Sequence, residues 1–276
     1  MPEARDPGKV LRGGEFYSPV LSRLRAGEVL LSELRQPCSR AVPRHEHELA
    51  YVTIVLDGDY LEGDRGRLDE MPPFTAAFNP AGVKHSTVIG PAGASFFTIE
   101  FRDAVVRELG LHLPDATTLD RGAGPVLWPG LRLYSAFKTQ NEDSLAFEAC
   151  ILELLGAIGA CERPGREVPR WFRRVKERLC EGFREPLRMS CLAKEAGVHP
   201  VHLARVFRKF EKQTPGEYQQ RLQVRAACKR LCNPEWSLAA IAVECGFADQ
   251  SHMTRIFRRM LGITPARFRR KLGASI

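Results

Sequence analysis

Apolar residues between positions 16 and 101 occur in short runs that are separated by turn-forming residues. Four runs have the composition of β-strands: Val29–Leu31, Ala50–Leu56, Thr75–Phe78 and Ser95–Ile99. Clusters of Asp, Glu, Asn, Gly and Pro predict turns at 57–59, 62–64, 79–82 and 90–93. Regular spacing of this kind favours an antiparallel β-barrel or sandwich.

After about residue 102 the apolar spacing becomes helical. A broad apolar stripe along 144–160 predicts a helix that packs on the barrel, on a second copy of itself, or on both. The charged run 161–169 contains two prolines and a glycine, which predicts a linker. We therefore expect an α+β chain: a β-barrel with packed helices at 1–160, the linker at 161–169, and an all-α domain at 170–276.

The helical part contains an internal repeat. Residues 192–218 and 241–268 match with an offset of 49 before an internal turn and 50 after it. In each copy the first helix carries apolar residues at i, i+3, i+4 and i+7. Gly197 and Gly246 follow where the chain must turn sharply, and Ser237 is a suitable N-cap in the second copy. Each copy is therefore typical of a helix-turn-helix.

The second helix of each copy separates an apolar face from an outer face of small residues and arginines. The apolar faces are Leu203, Val206, Phe207 and Phe210, and Met253, Ile256, Phe257 and Met260. Small residues permit close approach to the major groove, and Arg reads guanine there. The run 217–231 has no interior Pro or Gly and predicts one long rigid helix that joins the two copies. A helical bundle with basic surfaces is the alternative.

The charge of the chain is divided unequally between its two parts. The formal net charge is +8, of which residues 1–168 carry −6 and residues 169–276 carry +14. Most basic residues of the second part are arginines, which suit bidentate contacts to phosphate and base edges. A polyanionic partner is therefore expected for the helical domain rather than for the whole chain.

Neither a secretory signal core nor an apolar run of 18 residues is present, which predicts a cytoplasmic protein without a membrane partner. The eight cysteines form no CxxC pair, so we expect buried reduced thiols, as at Cys191, Cys228 and Cys245. Cys228 and Cys232 share a helix face, which leaves a thiol sensor open as an alternative.

Three histidines are candidates for a binding site. His45 and His47 lie two residues apart on a predicted strand and so face the same side, and His85 follows the turn at 79–82. Three imidazoles from neighbouring strands suit a divalent metal. Histidines that contact another ligand, or that are only structural, are the alternatives, and a barrel interior is the usual place for a small molecule.

Several motifs of the helical domain occur together in one known family. They are the two helix-turn-helices, the Thr-Pro-x-x-Tyr/Phe ends at 214–218 and 264–268, the Arg-Leu-x-x-Arg-Ala run at 221–226, and the Ile-Ala-x-x-x-Gly-Phe signature at 241–247. Residues 171–272 thereby resemble the DNA-binding domain of the AraC/XylS family of bacterial transcription regulators. The resemblance implies seven base-facing residues: Val201, Ala204, Arg205, Gln250, Ser251, Thr254 and Arg255. It also implies six residues near phosphates: His202, Arg208, Lys209, His252, Arg258 and Arg259.

The histidines resemble the two cupin motifs, with Gly58 after His45-x-His47 and with Pro80-x-Gly82-x-x-His85. Many AraC-type regulators resemble this pattern in their N-terminal sensory domain, which implies a ligand-sensing domain at 1–160 with His45, His47, Tyr51 and His85 as candidate effector contacts. The predicted helix at 144–160 is similar to the helix through which such regulators pair, which implies that the same domain dimerises. A divalent metal at His45, His47 and His85 is the one cofactor it suggests. Tyr51 and Ile89 stand where metal-binding cupins usually have Glu and Asn.

These resemblances together imply a sequence-specific transcription regulator that is not an enzyme. It would act as an activator rather than a repressor, and its expected partners are double-stranded promoter DNA, a small-molecule effector, a second copy of the chain and RNA polymerase. Two alternatives are a metal-dependent cupin enzyme with a helical appendage, and a DNA-binding protein that needs no effector.

Overall fold

The computed structural model describes residues 9–64, 67–121, 123–139, 144–161 and 168–273, which form two compact units. The first unit holds a curled β-sheet with packed helices and the second is all-helical, so the predicted α+β class is confirmed. Residues 123 and 124 belong to the second unit, although they lie between elements of the first. The predicted linker 161–169 falls largely on 162–167, outside the described residues, and the domain boundaries stay a prediction.

Among the described residues, nine strands form the sheet of the first unit. They are β1 (Lys9–Leu11), β2 (Val20–Ala26), β3 (Val29–Gln36), β4 (Arg40–His47), β5 (Ala50–Asp64), β6 (Arg67–Glu70), β7 (Ala76–Asn79), β8 (His85–Phe101) and β9 (Thr118–Asp120). The long strand β8 pairs antiparallel with β5 along one edge, and with β4 and then β3 along the other. β7 and β9 extend the sheet beyond β5, while β1 runs parallel to β4.

Three of the predicted turns are wrong, because β5 and β8 continue through them. Residues 57–59 and 90–93 are bends within these strands, and 62–64 pair with β6. Gly58 has φ +89°, and a Cβ there would lie 2.1 Å from the carbonyl oxygen of Gly93. The glycines therefore allow two long strands to bend while their backbones stay close. The turn predicted at 79–82 is confirmed, since β7 ends at Asn79 and Gly82 has φ +73°.

The helices of the first unit are α1 (Asp103–Glu108), α2 (Leu127–Thr139) and α3 (Ser144–Cys161). α2 packs on the sheet, where the rings of Tyr134 and Phe137 lie 5.2 and 5.3 Å from that of Phe97. The fully buried Glu33 accepts a hydrogen bond from the Tyr134 hydroxyl at 3.1 Å and pairs with Lys138 at 3.0 Å. A buried carboxylate needs such partners, so these contacts determine where α2 lies on β3.

The helical unit contains α4 (Arg170–Glu181), α5 (Met189–Ala196), α6 (Pro200–Glu211), α7 (Pro215–Leu231), α8 (Leu238–Glu244), α9 (Gln250–Leu261) and α10 (Pro265–Gly273). Both predicted helix-turn-helices are present, as α5–α6 and α8–α9. Gly197 and Gly246 have φ +69° and +81°, and Ser237 Oγ accepts from the Ala240 amide at 3.1 Å. The long connecting helix is α7, so this part of the prediction is confirmed.

The Thr-Pro-x-x-Tyr/Phe end of each repeat begins a helix and packs that helix on the preceding one. The Thr214 hydroxyl accepts from the Glu217 amide at the start of α7, and one turn later the Tyr218 ring lies 5.3 Å from that of Phe207 in α6. In the second copy Phe268 of α10 lies 5.4 Å from Phe257 of α9. Each motif therefore starts a helix and at once packs an aromatic ring on the buried face of the preceding helix.

The cysteines are distributed differently from the prediction. Cys228 and Cys245 are fully buried, but Cys191 is exposed, because α5 buries only the stripe around Leu192 and Ala193. Burial raises the pKa of the Cys228 thiol well above its usual range and that of Cys245 to about 11. Both thiols are therefore unreactive near neutral pH. Within the described residues, no helix combines the length and the apolar composition that crossing a bilayer requires.

Glu100 gives the first unit a stability that depends on pH. Its side chain is 1% exposed, both carboxyl oxygens accept from the Gly14 amide, at 2.9 and 3.1 Å, and burial raises its pKa from 4.5 to about 7. The folded protein holds this proton more tightly than the unfolded chain, so the contribution of Glu100 to stability falls as the pH rises from 4.5 to 7. As the pH rises from 4.5 to 8, the free energy of unfolding of Glu100→Gln should increase by roughly 2–4 kcal/mol relative to that of the wild type.

Urea denaturation at a series of pH values measures this difference. Glu15→Gln, which changes an exposed carboxylate of the same segment, is the matched control and should follow the wild-type profile. The prediction would be contradicted if the free energies of unfolding of wild type and Glu100→Gln changed with pH in parallel.

Candidate DNA interface and effector cavity

Local capping and a buried stripe determine which face of α6 is exposed. Pro200 begins the helix, and the His199 ring accepts from the Val201 amide at 3.3 Å. Leu203 and Phe207 are fully buried in the core of the unit, so the opposite face meets solvent. That face carries Val201, Arg205, Arg208 and Lys209, which are exposed, and Ala204, which is half-buried.

α9 presents the corresponding face in the second copy. Asp249 Oδ1 accepts from the His252 amide at 2.7 Å and starts the helix, while Met253 and Phe257 are fully buried. Six residues of the outer side line one open depression: Gln250, Ser251, Thr254, Arg255, Arg258 and Arg259. The Thr254 hydroxyl donates to the Gln250 carbonyl at 2.8 Å, and Arg259 donates to the side chain of Gln220 at 2.5 Å.

The two histidines assigned to phosphates are held by neighbouring groups. The His202 ring lies 5.7 Å from that of Trp171, and its Nδ1 is 3.2 Å from Arg205 Nη2. The His252 ring lies 5.7 Å from that of Phe247, and its Nδ1 is 3.4 Å from the Ala248 amide nitrogen. If both Nδ1 atoms accept, both Nε2 atoms carry the hydrogen and are able to donate to an anion. The structure thus brings all thirteen sequence candidates together on α6 and α9.

Two glutamines of α7, which the sequence reasoning missed, position these helices. Gln223 Nε2 donates to the carbonyls of Phe183 and Gly246, at 3.1 and 3.0 Å, and so joins the segment after α4 to the turn of the second helix-turn-helix. Gln219 Nε2 donates to Phe183 and Glu185 at 2.9 and 2.6 Å. Two amides at i, i+4 in a helix with many apolar residues were the available sequence signal.

A cavity of about 60 Å³ lies inside the sheet of the first unit. His45 and His47 of β4, Tyr51 of β5 and His85 of β8 line it together. The three histidines thus lie where strand periodicity and the turn at 79–82 led us to expect them, and their contact with an effector stays a prediction. One potential ligand atom from each histidine lies within 4.8 Å of the other two. The volume is far below the roughly 300–1,000 Å³ of sites for drug-sized ligands. It matches an ion with a water or two, or a very small molecule.

The three histidines are buried, and two of them are held neutral at physiological pH. Burial, with a smaller contribution from the neighbouring His85, lowers the pKa of His45 to about 4 and that of His47 to about 3. His45 Nδ1 donates to the Pro43 carbonyl at 2.8 Å, which leaves its Nε2 lone pair available. Within the described part of the chain, His47 Nδ1 is buried without a hydrogen-bond partner. An unpaired buried nitrogen is costly, and a bound ligand would satisfy it.

Tyr51 and Glu62 complete the surroundings of the cavity. The Tyr51 hydroxyl lies 3.1 Å from His85 Nε2, so a ligand at that nitrogen has to displace it. Glu62, which the sequence reasoning missed, is buried in β5, where it accepts from the Tyr60 hydroxyl and from Asn79 Nδ2. Its carboxylate is therefore already paired, and the available donors are imidazole nitrogens. Such a set fits Zn²⁺, Co²⁺, Ni²⁺ or Cu²⁺ better than Mg²⁺ or Ca²⁺.

Comparison with known proteins covers both units. Residues 192–271 match a family model described as a helix-turn-helix domain. PqrA of Proteus vulgaris, named a probable transcription factor, is 35% identical over 85 residues, which are 31% of this chain and 70% of that protein. SoxS of Salmonella typhimurium, a regulatory protein, is 32% identical over 96 residues, or 35% of this chain and 90% of that protein.

Two further proteins are similar along almost the whole chain. YpdC of Escherichia coli, an HTH-type transcriptional regulator, is 25% identical over 273 residues, with 92% of this chain and 94% of that protein covered. The crystal structure of ToxT from Vibrio cholerae aligns with 90% of this chain and 98% of its own, at 11% identity and a TM-score of 0.40. On the sequence matches, this chain belongs to the AraC/XylS family of helix-turn-helix regulators, and it is a DNA-binding transcription regulator rather than an enzyme.

Proposed function

We propose that this regulator reads promoter DNA with the outer faces of α6 and α9, and that a small effector in the cavity of the first unit adjusts this binding. The observation that carries the DNA part is the collection of all thirteen candidate residues on two solvent-facing helix faces of the unit that carries most of the positive charge. Because α7 holds both helices in one rigid unit, they are suited to successive major grooves on one side of the duplex.

Base contacts and phosphate contacts should respond differently to substitution. Arg255→Ala should cost about 1–3 kcal/mol on a cognate duplex and relax the preference at one base pair. Arg258→Ala should weaken cognate and random duplexes alike and reduce the slope of log K against log salt by about one.

Fluorescence anisotropy titrations at several salt concentrations, on a duplex selected from a random library, measure both effects. Arg107→Ala removes an exposed arginine of the first unit and is the matched control. An equal loss on all duplexes for Arg255→Ala would remove its base-reading role, and an unchanged salt slope for Arg258→Ala would remove its phosphate role.

The observation that favours a metal ion as the effector is the cluster of three buried histidine side chains, one nitrogen of which has no partner among the described residues. His45, His47 and His85 would hold the ion, which would supply a positive charge inside the sheet. Tyr51 would give up its bond to His85 Nε2. Since β4 and β8 carry all three ligands, binding would join these two strands more firmly.

Isothermal titration of the full chain with Zn²⁺ tests this proposal. We expect one ion per chain, a rise in Tm, and a changed affinity for the selected duplex. Binding should be lost in His47→Ala and kept in His112→Ala, which changes an exposed histidine of the same unit. Absence of binding by a folded wild-type chain, or equal binding by both variants, would exclude the metal. Metal binding without any change at DNA would leave a purely structural ion.

We further propose that the chain forms a homodimer through α3. Leu145 and Leu152 are 75% and 51% exposed, and with the exposed Ala149 between them they lie at i, i+4 and i+7 on one face. Leu152→Glu should convert a dimer to a monomer in sedimentation equilibrium, and the monomer should stay folded because the residue contributes little to the core. Ala160→Glu, at another exposed position of α3, is the control. A wild-type monomer at micromolar concentration would contradict the proposal.

The direction of regulation and the place of action complete the proposal. The relative AdaA of Bacillus subtilis, 32% identical over 111 residues, is named a transcriptional activator and DNA repair enzyme, which supports activation. An activator of this kind would have RNA polymerase as its partner. A protein that acts on promoters works at the nucleoid, in the cytoplasm. Run-off transcription with purified RNA polymerase tests the direction, since an activator increases the transcript and a repressor decreases it.

A further inference from the structure

We infer that the two reading helices recognise base pairs of different chemistry: α6 reads the 5-methyl groups of thymine, and α9 reads the hydrogen-bonding edges of adenine and guanine. This inference rests on the proposed function, namely that both helices enter the major groove. It adds which base pairs each helix recognises in the DNA site, or operator, that one chain binds.

The outer tip of α6 is apolar. Val201, in the first turn, is 69% exposed, and Ala204 follows three residues later on the same face. Pro200, which precedes them, has no side-chain donor or acceptor. In the major groove the thymine methyl is the one apolar group that a base pair presents, and apolar side chains pair with it. An exposed valine at the tip gains free energy only when such a surface covers it.

The polar residue next to this tip is engaged elsewhere. Arg205 Nη2 lies 3.2 Å from His202 Nδ1, and the His202 ring is held against Trp171. In the free protein the guanidinium of Arg205 therefore lies along the helix surface toward His202, while the side chains of Val201 and Ala204 form the tip of the outer face.

The same positions of α9 are polar. Gln250, Ser251 and Thr254 stand where α6 has Pro200, Val201 and Ala204. Gln250 and Arg255 are exposed, and Arg255 has no hydrogen bond or ion pair in the described residues. Gln suits the N6 and N7 atoms of adenine, and Arg suits O6 and N7 of guanine. The Thr254 hydroxyl already donates to the Gln250 carbonyl, so it adds little as a donor to a base.

The DNA site bound by one chain therefore contains two subsites of different base composition. One subsite contains thymine at the positions under Val201 and Ala204. The other contains adenine and guanine under Gln250 and Arg255, about one duplex turn, or 10 base pairs, away. α7 lies between the two reading helices along the chain, and Gln223 joins the turn before α9 to the segment that precedes α5.

Selection of bound duplexes from a random library by the full chain, repeated with Val201→Ala and with Arg255→Ala, locates the two subsites. Each variant should relax different positions. Deoxyuridine is then placed for thymidine in each subsite, which removes the methyl and nothing else. We expect a three- to fivefold loss of affinity for each contacted thymine in the α6 subsite, a magnitude typical of one buried methyl group. The loss should shrink in Val201→Ala.

The same substitution in the α9 subsite should have a smaller effect. There 7-deazaguanine, which lacks the N7 acceptor, should weaken binding by wild type and not by Arg255→Ala. Full tolerance of uracil in the subsite relaxed by Val201→Ala would overturn this inference while leaving the proposed function intact. If neither variant changes the selected sequence, the reading role of α6 and α9 fails, and the inference fails with it.

Discussion

The paired amides of Gln219 and Gln223 on α7 are the contacts on which the DNA-binding unit depends. A buried amide left without partners costs about 1–3 kcal/mol, so both side chains favour the one arrangement in which three backbone carbonyls accept their four hydrogen bonds. Gln223 bonds to the segment after α4 and to the turn before α9, which are remote in sequence. The second helix-turn-helix is thereby joined to the segment that leads into the first, and both belong to one compact unit. The second of them to reach DNA therefore binds at a high effective concentration.

In the first unit, β8 has the corresponding role. It pairs with β3, β4 and β5, so its side chains lie next to those of three other strands. His85, at its start, faces the histidines of β4, while Phe97, near its end, packs on α2. Burial keeps His45 and His47 neutral, and Glu62 is already paired with Tyr60 and Asn79. The cavity of about 60 Å³ is lined by imidazole nitrogens and is far smaller than the sites for drug-sized ligands.

The division of charge has a physical consequence for both units. A helical part with +14 is attracted to DNA from a distance, whereas a first part with −6 is repelled by it. Electrostatics alone therefore favours an approach with the helical unit foremost. Within that unit, the apolar faces of α6 and α9 are buried in the core, as at Leu203, Phe207, Met253 and Phe257. Only the opposite faces of these two helices are therefore able to contact the groove.

The sequence by itself determined the helical unit almost completely, because helix caps, glycine turns and apolar stripes act between residues three or four positions apart. It also determined that three histidines would meet, since strand periodicity and one turn suffice for that. The tertiary structure alone decided that Gly58 and Gly93 bend strands rather than end them, that Cys191 is exposed, and that Glu62 and Gln223 are paired. Each of these depends on backbone or side chains that are distant along the chain, which no local pattern encodes.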